Sequence, residues 1–145
     1  MAEFEELGAK CLPAAGWREG RQVDADKDRQ AYLDDGYEWP GFVDSLLAEF
    51  GGLIFGEPFG PFGDILTIDA ALAVSGIYKE RVEEYEEFLR LKLFPVGVGA
   101  RGVLTVVLSP DGSFHGGYDD HLEFLGGTVR EMLGRLTAGG GVKVR

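Results

Sequence analysis

Apolar residues recur along this chain in two rhythms, one helical and one alternating or continuous. Phe4, Leu7, Cys11 and Leu12 follow helical spacing, and Pro13 and Gly16 close that run. Asp26 to Asp35 predicts a short helix stopped by Gly36. Phe42, Val43, Leu46, Leu47 and Phe50 form an apolar stripe, with Pro40 just ahead and Gly51-Gly52 as its stop. Ile77 to Leu89 predicts the strongest helix. Tyr78, Val82, Tyr85 and Leu89 line one side of it, Glu80, Glu83, Glu84 and Glu87 lie elsewhere on its surface, and Glu86 falls nearer the stripe. Thr128 and Glu131 make a capping box that opens a last helix, with Val129, Met132, Leu133 and Leu136 on one face.

Strands are predicted at Leu53 to Phe55, Ile65 to Ile68, Leu91 to Val98, Val103 to Leu108 and Ser113 to His115. Ser109-Pro110-Asp111-Gly112 has the residues of a type I turn and should join the last two. GEPFGPFGD, between the first two, is too rich in Gly and Pro for regular structure. The closing GGGVKVR reads as a loose tail, so one domain is expected over residues 1–139 and a flexible end over 140–145.

A chain of 145 residues suits a single domain with a core of its own. Its single cysteine, Cys11, allows neither an internal disulfide nor a cysteine-based metal site, which fits a reducing, cytoplasmic setting. MAEFEELGAKCL has no basic region or long apolar stretch and does not read as a signal peptide. No apolar run approaches the ~20 residues that span a bilayer.

Charge changes the picture more. Between Tyr32 and Glu87 lie thirteen acids against two bases, Lys79 and Arg81, so the whole net charge of −11 falls in that stretch. Such a field repels nucleic acid and anionic membranes and steers a basic protein partner. Acids also simply keep small domains soluble, so charge alone does not choose a function.

The sharpest candidate motif is GVGARG, where Gly97, Gly99 and Gly102 have the spacing of a dinucleotide fingerprint. That site needs a helix directly after the glycines, to offer its free N–H groups to the pyrophosphate. Here GVLTVVL follows, which is a strand, so the glycines read as a hairpin turn with positive φ. His115 and His121, with Asp119 and Asp120, could serve a metal-dependent enzyme. Their spacing fits a polar loop closing a hairpin better. No serine has nucleophile-elbow glycines around it. The reading expects no catalytic residue, no cofactor and no metal.

Four stretches occur together and in order: AGWREGRQVD (Ala15 to Asp24), FVDSLLAEFGGL (Phe42 to Leu53), LFPVGVGARGVLTVVLSPDG (Leu93 to Gly112) and LGGTVREMLGRLTAG (Leu125 to Gly139). In that order they resemble the third subgroup of the SUKH superfamily, immunity proteins of bacterial polymorphic toxin systems. The resemblance implies an α+β domain with a mostly antiparallel sheet and packed helices. It implies binding and neutralising a toxin, often a nuclease, and not catalysis. By motif match Trp17, Arg21, Gly51, Gly52, Pro95 and Gly97 are signature positions, expected to be structural.

A nuclease toxin needs a basic surface to hold phosphates, and an acidic inhibitor can occupy it. The expected toxin-binding residues are therefore Glu80, Glu83, Glu84 and Glu87, and after them Asp119, Asp120 and Tyr118. Asp34 and Asp35 rank with Asp119 and Asp120 as second choices, and Trp39 and Phe59 are further aromatic anchors. The alternative is a signalling, adaptor or small-ligand module of the same fold, using the FGEPFGPFG loop.

Overall fold

Each strand of the sheet pairs with its neighbours along the chain. A computed structural model describes residues 2–56, 64–99 and 102–145. Among these the elements run α1 (Ala2–Ala14), α2 (Asp26–Asp34), α3 (Gly41–Phe50), β1 (Ile54–Gly56), β2 (Asp64–Ile68), α4 (Ala70–Ser75), α5 (Lys79–Leu89), β3 (Phe94–Gly99), β4 (Leu104–Leu108), β5 (Phe114–Tyr118), β6 (His121–Gly126), α6 (Val129–Thr137) and β7 (Val142–Lys143). The sheet order is β1-β2-β3-β4-β5-β6-β7, antiparallel at every pairing. This is a single α+β domain, as the resemblance implied.

The core sits on the middle strands. Every residue of β4 is buried, so both faces of the sheet are covered there, as its continuous Leu-Thr-Val-Val-Leu run requires. Tyr32 of α2 is fully buried, and its hydroxyl donates to the carbonyl of Pro95. Tyr37, Trp39 and Phe94 pack their rings around it. At the other end of the chain α6 packs against α1, and the Thr128 hydroxyl donates to Glu5 at 2.9 Å.

Because the strands alternate in direction, the turns after β1, β3 and β5 leave the sheet at one end. The pairs Gly56–Asp64, Gly99–Leu104 and Tyr118–His121 mark that end. Most of the Gly/Pro-rich loop (57–63) and residues 100–101 of the glycine motif fall outside the described residues, and Phe59 with them.

Several expectations are corrected. The longest β-branched run is strand β4, as expected, but β5 continues to Tyr118 and β6 follows after only two residues. GGYDD is thus strand and tight turn, not a polar loop. The segment expected to be a loose tail carries β7, where alternating Val142, Lys143 and Val144 can pair with β6. Gly139 and Gly140, both at positive φ, let the chain turn back to reach it. Tyr78 is not on the apolar side of the strong helix. That helix starts at Lys79, so Tyr78 lies in extended backbone before the first turn and is 83 % exposed.

The glycine motif also divides in two. Only Gly102 has positive φ, at 89°. Gly97 and Gly99 are inside β3, where a β-carbon would come within 2.8 Å of the carbonyl oxygens of Thr67 and Ile65 on β2. Their role is close approach of two strands.

Candidate functional site

The outer side of α5 is built by helical arithmetic. Glu83, Glu87, Glu80 and Glu84 succeed one another around the helix within an arc of about 100°. All four are exposed. Val82 and Tyr85 face the core on the opposite side. Glu86 falls between the two, half-buried, and its carboxylate accepts the N–H of Leu93 at 2.9 Å. It therefore joins the helix to the segment leading into β3.

Two of the four acids are partly compensated. Lys79 lies 3.7 Å from Glu83, and Arg81 lies 3.2 Å from Glu84. Both pairs are solvated and contribute little to stability. Glu80 and Glu87 have no ion pair among the described residues. The arc keeps a strong negative field.

Tyr118, Asp119 and Asp120 come next to this arc. Arg81 reaches Asp120 at 3.4 Å while holding Glu84, so one guanidinium bridges the helix and the β5–β6 turn. The Tyr85 hydroxyl donates to the carbonyl of Asp119 at 2.8 Å. Burial, the largest influence on this phenol, pushes its pKa up to about 12. A β-carbon on Gly117 would stand 2.6 Å from the Tyr85 ring, so the glycine lets the helix settle onto the strand. Asp119 takes a left-handed conformation, φ 48°, that Asp tolerates in a tight turn. Tyr118 is 40 % exposed and stacks on His121 with ring centres 4.7 Å apart.

The second-choice acids divide. Asp35 lines a surface depression together with Glu80 and Tyr78. Asp34 is occupied locally, accepting from Gln30 at 2.8 Å. Trp39 is half-buried, set edge-on against Tyr32, and its indole N–H donates to Asp44 at 3.0 Å.

Four of the six motif positions meet at the end of α3, while Pro95 and Gly97 lie in β3. Trp17 stacks on Phe50 and donates to Glu49 at 3.1 Å. Arg21 donates from Nη1 to the Glu49 carbonyl at 2.6 Å and from Nη2 to the Gly51 carbonyl at 2.8 Å. A cation at a helix C-terminus satisfies orphan carbonyls and meets the negative end of the dipole. Gly51 has no room for a side chain against the Leu47 carbonyl, and Gly52 turns the chain at φ 83°.

A family model described as SUKH-3 immunity protein matches residues 4–139. The chain belongs to the SUKH-3 immunity protein family. Membership carries a toxin-immunity role, with a toxin as partner. No curated protein and no solved structure matches the chain.

In this SUKH-3 chain the two histidines are kept apart. His115 is buried in β5 beside Val107 of β4 and edge-on to Phe124, whereas His121 is at the β5–β6 turn, 3.3 Å from Glu123. Among the described residues no group of three His, Cys, Asp or Glu is placed to hold a metal. No helix among them is long and apolar enough to cross a membrane.

Sequence reasoning missed three contributors to this SUKH-3 surface. In sequence Arg81 is one of two bases among thirteen acids, whereas in the fold it bridges α5 to Asp120. Phe88 is 48 % exposed at the edge of the glutamate arc. Arg145 lies over its ring, 5.0 Å from the centre. The signal for Phe88 was present: a large apolar residue out of phase with Val82, Tyr85 and Leu89.

Proposed function

We propose that this SUKH-3 chain neutralises its toxin by direct, non-catalytic binding through the exposed side of α5 and the adjoining β5–β6 turn. Glu80, Glu83, Glu84 and Glu87 supply the field, Asp119 and Asp120 extend it, and Tyr118 offers an aromatic anchor. The observation that carries this reading is the continuity of the two acidic segments. Arg81 ties them into one surface without neutralising it. The partner that fits is a basic toxin domain, of which a nuclease is the clearest case because it must hold phosphates. Nucleic acid and anionic membranes are repelled by the same field. We place the encounter in the cytoplasm, with the one α+β domain, β7 included, as the binding unit.

The test is affinity for the cognate toxin domain, measured from low to high salt. Binding should weaken steeply with salt. Replacing Glu80, Glu83, Glu84 and Glu87 together with Lys should lower affinity at least 100-fold, much of it through slower association. Unchanged affinity in that variant would remove the helix from the interface.

A further inference from the structure

We propose that the exposed face of Phe88 is the seat for an arginine of the bound partner, and that Arg145 of this chain fills the seat until the partner arrives. The inference rests on the acidic-surface reading above and adds the chemistry of one contact.

Phe88 lies on the solvent side of α5, 48 % exposed, among glutamates. Glu84 precedes it by one helical turn on the same side, and Glu87 is its neighbour in the chain. An aromatic face carries negative electrostatic potential, and carboxylates beside it add charge. That pairing favours a guanidinium over an ammonium, because its flat, weakly hydrated group can lie parallel to the ring.

A guanidinium is in fact there. The Cζ atom of Arg145 is 5.0 Å from the centre of the Phe88 ring. Arg145 is presented by the sheet edge: its N–H donates to the Leu122 carbonyl and its own carbonyl accepts from the Leu122 N–H, both at 3.2 Å. The side chain is thus aimed at the helix by backbone bonds that need not break when the guanidinium swings away. An exposed cation–π contact is weak enough to exchange. The partner's arginine would enter with the rest of its interface, so the exchange favours the complex. The adjoining surface repeats the theme, with Tyr118 stacked on His121 and Arg81 held between Glu84 and Asp120.

The test uses the full chain with hexa-arginine as probe and hexalysine beside it. Binding is read by calorimetry and by the ring resonances of Phe88. The wild type should prefer hexa-arginine. Arg145→Ala should bind hexa-arginine about two- to fivefold more tightly, the range for an exposed cation–π competitor. Lys143→Ala, which removes an equal charge from β7, should give a smaller gain. On a Phe88→Leu background the gain from Arg145→Ala should fall to that of Lys143→Ala, the share owed to charge alone. An equal gain from Lys143→Ala in the wild-type background, or a gain from Arg145→Ala that Phe88→Leu leaves undiminished, would overturn the seat while leaving the acidic surface in place. Failure of every variant and the wild type to bind either peptide would overturn both readings.

Discussion

Gly8 and Gly134 let α1 and α6 meet backbone to backbone. A β-carbon on Gly8 would overlap the carbonyl oxygen of Arg130, and one on Gly134 would overlap that of Phe4. Each glycine therefore faces the residue four places before the other. In a free helix, Ala in place of Gly gains about 1 kcal/mol. Here a methyl group would run into main chain that cannot rotate away. Gly8→Ala and Gly134→Ala should each lower stability by about 1–3 kcal/mol net in urea unfolding. A neutral or stabilising result would mean that the helices stand further apart.

Arg21 should behave as a structural clamp. Its two bonds to the Glu49 and Gly51 carbonyls are charge-assisted. Arg21→Ala should cost about 1.5–3 kcal/mol. Arg21→Lys keeps the charge but not the fork, and should recover only part of that loss. Trp17→Phe keeps the stack on Phe50 and loses one hydrogen bond, about 0.5–1.5 kcal/mol. Denaturation midpoints with unchanged m-values would check all three.

The pH dependence of stability should have two acidic limbs. His115 is 6 % exposed and its Nδ1 has no hydrogen-bond partner among the described residues. Burial holds its imidazole below the ordinary value of 6.5, against a smaller pull from Asp111. As pH falls below about 6.5 the unfolded chain takes a proton first, so stability declines; above it this residue adds no slope. His115→Leu should flatten that limb. Asp111 has its pKa lowered from 3.8 to about 2, first by the Ser109 hydroxyl and then by Ser113. Its contribution is intact above pH 3.8 and lost towards pH 2, and Asp111→Asn should remove the second limb. Unfolding curves across pH, wild type against each variant, would show the loss or persistence of either slope.

Recognition and stability should separate on α5. Glu80 and Glu87 are exposed, with no ion pair among the described residues. Glu80→Gln and Glu87→Gln should leave stability within about 0.5 kcal/mol while weakening the toxin complex and lowering its salt dependence. A large drop in melting temperature would show that these acids serve the fold.

Much of the fold was legible because burial leaves a period in the sequence. The stripe of α3 and the strand Leu104–Leu108 were readable for that reason, and the start of α6 because Thr128 caps it locally by accepting the Glu131 N–H. Helix α4 was not anticipated, yet its signal was local: Asp69 caps it by accepting the Leu72 N–H, and Gly76 ends it. What could not be read was contact between distant segments. Nothing near Gly8 or Gly117 says which backbone or ring will press on it. The glutamates of α5 were visible as charge, but the bridge from Arg81 to Asp120 spans 39 positions and exists only after folding. Tyr78 shows the opposite error, a helical period extended one residue beyond the start of the helix.

The meander order of the sheet has a consequence for how the chain assembles. Every strand pairing from β1 to β7 joins segments that are consecutive among the strands, so each closes as soon as its second half exists. α1 is the exception. It precedes every strand in the chain, but its main partner, α6, begins only at Val129. A growing chain must carry Phe4, Leu7 and Leu12 without their final cover while the sheet forms. The docking of α1 is then the latch that joins a segment ahead of the sheet to one behind most of it, and its timing is set by synthesis as well as by diffusion.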